Sequence, residues 1–275
     1  MPELPEVETV ANDLRQLGLV GSRISAVLIH WHRTIAFPVP QEMIERIIGQ
    51  TIVSIARRAK YLVLQLSSGD ILYVHLRMTG RFAMAALDAP VGPHERVTLE
   101  LDNSRRLQFH DTRKFGKWYL AKEADEVTKA LGPEPMDEAF TEQDFAHRLL
   151  AKGRQLKPLL LDQTFLAGLG NIYVDEALWY AKLHPQAIAS SLTKKQAYSL
   201  LKAIRHVLQR GLDKEGTTLG SGKSNFYRPG GTKGAHQDVL YVFRRTGQPC
   251  TRCGTSIVRL VVAQRSTHIC PNCQP

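Results

Sequence analysis

The sequence of 275 residues has no apolar run long enough to cross a membrane. It contains no stretch of about 18 apolar residues, the length that spanning a bilayer requires. Its first residues carry carboxylates instead of a basic segment followed by a long apolar one, so we find no secretory signal. We therefore expect a cytoplasmic protein with no membrane partner.

Cysteine is scarce and is confined to the end of the chain. The four cysteines form two C-x2-C pairs, Cys250 with Cys253 and Cys270 with Cys273, separated by 16 residues. Two disulfide bonds are the alternative reading, but they suit small secreted proteins. Four thiolates at this spacing are typical of a zinc site. We expect one structural zinc ion that holds this short segment folded, because no ligand position is left open for water.

Acidic residues are rare in the last quarter of the chain. Residues 201–275 hold 12 Lys and Arg against 3 Asp and Glu, although the whole chain has a net charge of +10 from 36 basic and 26 acidic residues. A concentrated positive field is typical of proteins that bind a polyanion, usually a nucleic acid. A basic surface that only improves solubility is the alternative.

The first eight residues, MPELPEVE, combine two prolines with three carboxylates. One explanation is helix initiation, since proline and glutamate both suit the first helical turn. The other explanation is chemical: if Met1 is removed, Pro2 becomes a free secondary amine with carboxylates beside it. These eight residues alone leave both explanations open.

Hydrophobic periodicity divides the chain into a β-rich part and a helical part. A helical spacing over residues 2–17 is followed by two predicted hairpins, 61–66 with 71–76 and 97–101 with 107–110, which together favour an antiparallel β-sandwich. The proline-containing segment 131–136 reads as a linker. Beyond it, helices are predicted at about 141–151, 157–166, 171–182 and 193–211, the last with a capping box from Thr193 to Gln196.

Two glycine-rich stretches have open interpretations. Residues 211–235 read as a long mobile loop, either a plain linker or a binding lid. The segment Ala167-Gly-Leu-Gly-Asn171 separates two predicted helices, so it is either a simple helix hairpin or a helix–turn–helix phosphate clamp. Asn171 lies where the second helix would begin, and its amide would cap that helix or contact phosphate.

Six stretches of the sequence, taken in order, resemble the bacterial formamidopyrimidine-DNA glycosylases. They are PELPEVE at the start, RRAKYL at 57–62, HLRMTG at 75–80, DTRKFG at 111–116, LDQ at 161–163 with GLGNIYVDE at 168–176, and the terminal four-cysteine finger. The resemblance runs from residue 2 to residue 273. No single stretch is specific, but their combination in this order is.

The resemblance implies an α+β multidomain fold. Its expected parts are a catalytic domain over residues 1–132, with an N-terminal helix and an antiparallel β-sandwich, then a helical DNA-binding domain over 133–240 with a helix-two-turn-helix, and a zinc finger over 241–275. A lid loop at about 211–235 is expected within the helical domain. The expected protein is a monomer.

The family removes oxidised purines from duplex DNA and then cuts the strand, without a redox or organic cofactor. Its nucleophile corresponds to Pro2 after loss of Met1. Glu3 is similar to the general acid or base at the sugar, and Glu6 to a second carboxylate that orients the amine or a water. Lys60 is similar to a lysine for proton transfer and phosphate contact. Arg265 is similar to the proton donor of δ-elimination.

The resemblance also implies a DNA-binding surface. Attack on the sugar requires the damaged nucleotide to leave the stack, and an inserted side chain must fill the gap. The expected inserted triad is Met78, Arg113 and Phe115. The other expected DNA contacts are His75, His94, Arg154, Lys157 and Asn171. Without the resemblance, Lys60 would read as a surface lysine, and Met78 and Phe115 as core or strand-end residues.

Two competing functions stay open at this stage. The first is a relative that acts on oxidised pyrimidines, endonuclease VIII, although Leu4 and Val7 within PELPEVE favour the purine branch. The second is a protein that only binds damaged duplex DNA without catalysis. The basic last quarter of the chain and the four-cysteine finger fit this second function equally well. However, it gives no reason for Pro2, Glu3 and Lys60 to occur together.

Overall fold

The computed structural model describes residues 1–219 and 226–275. The chain forms two compact units, the first from residues 1–130 and 214–235 and the second from residues 131–213 and 236–275. The first unit thus contains the described ends of the predicted lid loop, whose residues 220–225 lie outside the described part. Within the described residues, no helix combines the length and the apolar composition that crossing a membrane requires.

The first unit begins with helix α1 and continues as two sheets. Helix α1 spans Leu4–Gln16 and α2 spans Pro40–Ile47. The strands are β1 Ile24–Ile29, β2 Ile35–Phe37, β3 Ile52–Arg58, β4 Tyr61–Leu66, β5 Ile71–His75, β6 Gly80–Ala86, β7 Glu95–Leu101, β8 Arg105–Asp111 and β9 Lys117–Ala121. One sheet has the order β1-β7-β8-β6 and the other β2-β9-β5-β4-β3.

Both predicted hairpins are present. Strand β4 pairs with β5 and β7 with β8, each pair antiparallel. One pairing departs from an all-antiparallel arrangement, because β2 runs parallel to β9. Side chains of both sheets and of α1 share one core, which includes Val10 and Leu14 of α1, Leu64 of β4 and Phe109 of β8. The alternating burial of β4 agrees with its period-two sequence pattern.

The second unit contains four α-helices, two short 3-10 helices and a two-stranded hairpin. Its elements are α3 Glu142–Leu150, α4 Leu156–Leu161, α5 Asn171–Tyr180, α6 Lys194–Asp213, β10 Val258–Val262 and β11 Arg265–Ile269. The predicted capping box of α6 is confirmed, since the Gln196 N–H donates to Thr193 Oγ1 at 3.2 Å and the Thr193 N–H to Gln196 Oε1 at 2.9 Å.

Two predicted helix ends were wrong for local reasons. Helix α4 ends at Leu161 instead of residue 166, because the Asp162 carboxylate accepts the backbone N–H of Thr164 at 3.0 Å and its hydroxyl at 2.7 Å, which forms a turn. Helix α6 continues past Gly211 to Asp213, so the predicted loop begins later. At Gly211 a Cβ atom would lie 2.4 Å from the Tyr173 hydroxyl, so glycine allows this close packing.

Candidate functional site

The first helix begins on a pair of buried carboxylates. Glu3 is the residue before α1 and forms a capping box with Glu6, in which the Glu3 N–H donates to Glu6 Oε2 at 2.8 Å. Both side chains are buried, and so is Pro2, which precedes them. The helix-start explanation of PELPEVE is therefore correct as structure. It does not compete with the chemical one, because the capping box also holds two carboxylates beside Pro2.

The second oxygen of Glu6 accepts a hydrogen bond from residues distant in sequence. The Thr217 N–H donates to Glu6 Oε1 at 2.8 Å. Gly216 approaches so closely that a Cβ there would lie 3.0 Å from Glu6 Cγ, and its φ of +85° is in the region that favours glycine. Glu6 thus binds the start of its own helix with one oxygen and the 214–219 segment with the other.

Lys60 and His75 lie at the same end of the β4–β5 pair. Lys60 follows Ala59, whose φ of +54° makes the tight turn before β4, and the side chain of Lys60 is only 4% exposed. The register places Tyr61 opposite His75, with their rings edge to face at 4.7 Å. Lys60 is therefore not the exposed surface lysine that its sequence neighbours suggested.

The imidazole of His75 is held neutral. Burial, together with the positive charges of Arg77 and Lys60, lowers the pKa of His75 to about 3. Its Nδ1 accepts the Arg77 N–H at 3.0 Å, so the ring proton resides on Nε2. His75 can therefore offer a neutral N–H donor to a phosphate oxygen, but not a positive charge.

The three residues of the predicted inserted triad are exposed at strand ends. Met78, in the turn between β5 and β6, is 39% exposed, and Phe115, in the turn between β8 and β9, is 47% exposed. The Arg113 guanidinium lies 4.7 Å above the Phe115 ring. For Met78 and Phe115 these positions exclude the core alternative and agree with the strand-end alternative, which were the two explanations without the family resemblance. His94 lies in the preceding β6–β7 loop, and its carbonyl accepts the N–H of Asp111 at 2.8 Å.

In the second unit, Asn171 and the β10–β11 hairpin meet at one carbonyl group. Asn171 is the first residue of α5, and its Nδ2 donates to the Ser266 carbonyl at 2.8 Å. Its Oδ1 is buried and has no hydrogen-bond partner in the described part of the chain. Arg265, next to Ser266, is exposed where the hairpin turns. Asn171 and Arg265 are thus brought to the same place, and the cap of α5 is Gly170 instead of Asn171.

Lys157 and Arg154 have different environments although they are neighbours in sequence. Lys157 has no exposed side-chain surface, and its Nζ lies 2.6 Å from the Asp175 carboxylate and 2.9 Å from the Ser266 carbonyl. Arg154 is 51% exposed and pairs with Asp162 at 2.7 Å. Lys157 therefore joins α4, α5 and the hairpin, whereas Arg154 faces solvent.

The four cysteines fit a zinc ion. Their Sγ atoms all lie within 4.8 Å of one another, and among the described residues no other group of His, Cys, Asp and Glu meets the same test. Tetrahedral zinc with bonds of about 2.3 Å to sulfur separates the sulfurs by about 3.8 Å, and the distances Cys250–Cys273 and Cys253–Cys270 are 4.0 and 3.4 Å. The Trp179 indole N–H also donates to Cys250 Sγ at 3.4 Å.

Three groups that organise these residues were not predicted from the sequence. They are two buried carboxylates and one backbone N–H. Thr217 reaches Glu6, Asp175 binds Lys157, and Asp111 lies behind the two turns that carry the triad. Asp111 and Asp175 lie inside the motifs DTRKFG and GLGNIYVDE, but no pattern in the sequence indicates a function for them. Thr217 carries no signal, because its backbone N–H makes the contact.

Comparisons with known proteins agree along the whole chain. Three family models match: the formamidopyrimidine-DNA glycosylase N-terminal domain over residues 1–118, the H2TH domain of that enzyme over 131–222, and the zinc finger found in FPG and IleRS over 247–275. The chain is 49% identical over 274 residues to the formamidopyrimidine-DNA glycosylase of Protochlamydia amoebophila, covering 100% of this chain and 99% of the relative. It is 47% identical over 277 residues to that of Herpetosiphon aurantiacus, covering 100% of both.

Solved structures give the same result. A mutant of the Lactococcus lactis enzyme in complex with Fapy-dG DNA has a TM-score of 0.92 and 37% identity, with 99% of each chain covered. A complex of the Lactococcus lactis enzyme with abasic-site DNA has a TM-score of 0.91 and 38% identity, again with 99% of each chain covered.

The two-sheet unit, the H2TH helices and the four-cysteine finger define a modular protein with a structural zinc ion. The chain belongs to the formamidopyrimidine-DNA glycosylase family. The resemblance, the α+β fold class and the zinc ion predicted from the sequence are confirmed.

Proposed function

We propose that this protein excises oxidised purines, such as 8-oxoguanine and formamidopyrimidines, from damaged double-stranded DNA in base excision repair and then cuts the strand as an abasic-site lyase. Its full-length similarity to enzymes of this name and its fold likeness to complexes with Fapy-dG and abasic-site DNA support the proposal. The observation that carries it is the buried Pro2 beside the paired carboxylates of Glu3 and Glu6.

The first chemical step uses Pro2 as a nucleophile. After removal of Met1, Pro2 is an α-amine with an ordinary pKa of about 7.7–8.0, so more of it is unprotonated near neutrality than of a lysine. Its nitrogen forms a bond to C1′ of the damaged nucleotide, and the bond from C1′ to the base breaks. The base leaves with the electron pair and takes up a proton. Opening of the sugar ring then gives an iminium ion.

The second stage cuts the strand. The iminium withdraws electrons, so the proton at C2′ becomes acidic and its removal breaks the bond between C3′ and the phosphate oxygen. A second elimination removes the C4′ proton and breaks the bond from C5′ to the other phosphate. Water then releases the sugar fragment and restores Pro2. No redox or organic cofactor enters these steps.

Glu3, Glu6 and Lys60 supply the proton transfers and the electrostatic support. Glu3 is proposed as the acid or base at the ring oxygen and C2′. Both oxygens of Glu6 accept backbone N–H groups, from Glu3 and from Thr217, which favours orientation of the N-terminus over proton transfer. Lys60 is proposed to transfer protons and contact the phosphate near the lesion. Carboxylates beside the iminium also stabilise its positive charge.

Binding of the duplex is assigned to residues of both units. The gap left by the everted nucleotide would be filled by Met78, Arg113 and Phe115. Of these, Arg113 would form a hydrogen bond to the unpaired base on the opposite strand. The other proposed DNA contacts are His75, His94, Arg154, Lys157 and Asn171, with Arg265 as the donor of the second elimination.

Lys157 is the least direct of these contacts. Its buried ion pair with Asp175 favours support of Asn171 and of the Arg265 hairpin over phosphate contact.

The domain limits 1–132, 133–240 and 241–275 also stay a prediction. We further infer a monomer that acts on the nucleoid DNA of the bacterial cytoplasm.

Borohydride trapping tests the nucleophile. Reduction of the iminium should link the protein covalently to a duplex that contains an abasic site, and peptide mass mapping should place the link on Pro2. Pro2→Gly and an N-terminally tagged protein should each give much less adduct. A link that maps to Lys60, or an active protein that retains Met1, would overturn the proposal.

Cleavage of matched duplexes tests the substrate. A duplex with 8-oxoguanine should be cut faster than one with thymine glycol. Cleavage of only the thymine glycol duplex would assign the protein to the pyrimidine branch. A protein that binds both duplexes but forms no adduct would be a non-catalytic binder.

A further inference from the structure

One buried carboxylate joins the two turns that carry the triad. Strands β6 and β8 are antiparallel neighbours, and their register places Gly80 opposite Asp111. The β5–β6 turn with Met78 therefore ends beside the residue from which the β8–β9 turn departs. Asp111 is 1% exposed although its neighbours in the second turn face solvent.

The hydrogen bonds of the Asp111 carboxylate go to these two turns. Oδ1 accepts the Thr79 hydroxyl in a short hydrogen bond and the Arg113 N–H at 3.2 Å, and Oδ2 accepts the Gly116 N–H at 2.6 Å. Thr79 Oγ1 itself accepts the Arg113 N–H at 3.1 Å. Thr79 adjoins Met78, Gly116 adjoins Phe115, and Arg113 is itself a member of the triad. The hydroxyl and the carboxylate thus connect the two turns through one shared N–H.

Both turns need such an anchor. Arg77 and Lys114 adopt φ values of +54° and +60°, and a residue other than glycine in this region is strained unless its surroundings hold it. Gly116 is also tightly packed, because a Cβ there would lie 2.6 Å from Phe109 Cζ and 3.1 Å from Asp111 Oδ2. The position of the exposed triad is therefore determined by the buried groups beneath it.

We propose that Asp111 and Thr79 are positioning residues that hold Met78, Arg113 and Phe115 at a fixed spacing, so that the triad inserts into the duplex as one unit. This inference rests on the proposed function. Neither residue touches DNA or the sugar. Their effect should be confined to substrates from which a nucleotide must leave a base stack, because only there does a gap need filling.

Thr79→Val tests the inference, because it removes the hydroxyl and keeps the shape of the side chain, and Thr79→Ser is the matched control that restores the hydroxyl. Loss of a hydrogen bond to a carboxylate should slow 8-oxoguanine excision from duplex DNA about tenfold in kcat, with a smaller change in KM. Cleavage of a single-stranded abasic oligonucleotide should stay within about twofold. Asp111→Asn, checked for a native melting temperature, should show the same selectivity for duplex.

A fluorescent base reports the insertion itself. 2-Aminopurine placed next to the lesion brightens when the stack opens, and Thr79→Val should slow this rise whereas Thr79→Ser should not. Equal slowing on duplex and single strand, or a rise in Thr79→Val as fast as in wild type, would overturn the positioning role. A wild-type protein that cuts neither substrate would instead overturn the proposed function, so the two failures are distinguishable.

Discussion

Gly216 shows how a residue with no chemistry of its own constrains the proposed active site. Its φ of +85° disfavours any other residue, and a Cβ there would lie only 3.0 Å from both Glu6 Cγ and Phe226 Cε1. The next residue, Thr217, donates its N–H to Glu6. The backbone of 216–217 therefore determines where one Glu6 oxygen points.

We predict that Gly216→Ala lowers kcat for 8-oxoguanine excision at least about tenfold, because an added methyl group must displace Glu6 or Phe226 and the backbone conformation disfavours alanine. Gly230→Ala is the matched control, since a Cβ at that position meets nothing within 4 Å. Single-turnover kinetics at saturating DNA measure the effect. Equal rates for the two variants would contradict the constraint on Glu6.

The neutral imidazole of His75 makes stability depend on pH. Its pKa is about 3 in the folded protein, below the ordinary value of about 6.5, so the unfolded chain binds a proton first as the pH falls. The contribution of His75 to the free energy of unfolding is complete above about pH 6.5 and is lost toward pH 3, at about 1.4 kcal/mol per pH unit at most.

We expect His75→Gln to lose this dependence. Between pH 7.5 and pH 5.0 the free energy of unfolding should fall by up to about 2 kcal/mol more in wild type than in the variant. Urea unfolding at both pH values measures the difference. His32→Gln, at an exposed histidine, should behave like wild type. A His75→Gln protein with an unchanged pH dependence would show that His75 is not held neutral.

At the scale of elements, α5 positions the hairpin and the chain that leads into the finger. Asp175 accepts the His268 N–H at 2.9 Å and pairs with Lys157, and Glu176 accepts the backbone N–H groups of residues 241–243 at 2.7–2.9 Å. Burial raises the pKa of Glu176 even against these three hydrogen bonds. One buried helix thus fixes two segments that are more than 60 residues away in sequence.

Asp175→Asn should change the products of strand cleavage. Lys157 and His268 bind different oxygens of Asp175, and an amide replaces one of these acceptors by an NH2 donor. The β11 strand and Arg265 should therefore shift, and δ-elimination should decline relative to β-elimination. Electrophoresis of an abasic duplex after cleavage separates the two products. Asp162→Asn, at the half-exposed partner of Arg154, is the control. A folded Asp175→Asn protein with the wild-type product ratio would contradict the positioning of Arg265.

The helices and strands were predicted from the sequence better than the contacts between them. The period-two strands β4 and β5 and the capping box of α6 depend on neighbouring residues, and both were found where predicted. The predicted end of α4 was wrong because one side chain, that of Asp162, forms a turn inside an apolar run. Contacts such as Glu6 with Thr217 join residues that are far apart and use a backbone donor, so no local pattern reports them.

The predicted site shows the same division. Pro2, Glu3 and Glu6 are local, and the capping box brings the two carboxylates together as their spacing suggests. The roles of Lys60, Arg265 and the triad came from the family resemblance, because each has an ordinary structural explanation when taken alone. Burial of Lys157 was not predictable, since its partners Asp175 and Ser266 belong to two other elements.

At the scale of the whole molecule, removal of zinc should unfold the four-cysteine finger and leave the first unit folded. The buried apolar cluster at the finger is small, because only Val242, Ile257 and two zinc ligands, Cys250 and Cys270, pack there against Trp179 of α5. Such a cluster cannot offset the chain entropy of a segment this short without the metal. The first unit has a separate core that contains no cysteine.

Trp179 reports this directly, because its indole N–H donates to Cys250 Sγ and the Arg252 guanidinium lies 4.0 Å from its ring. In a Trp31→Phe, Trp118→Phe protein it is the only tryptophan of the chain. We predict that a chelator strong enough to remove one zinc per chain shifts its emission to longer wavelength and lowers affinity for abasic duplex, and that added zinc, but not magnesium, reverses both changes. The β-strand signal in the circular dichroism spectrum, which comes mainly from the first unit, should persist throughout. If the emission of Trp179 and the affinity for DNA survived complete removal of zinc, the finger would be held by its protein contacts alone, and the metal would have no structural part in DNA binding.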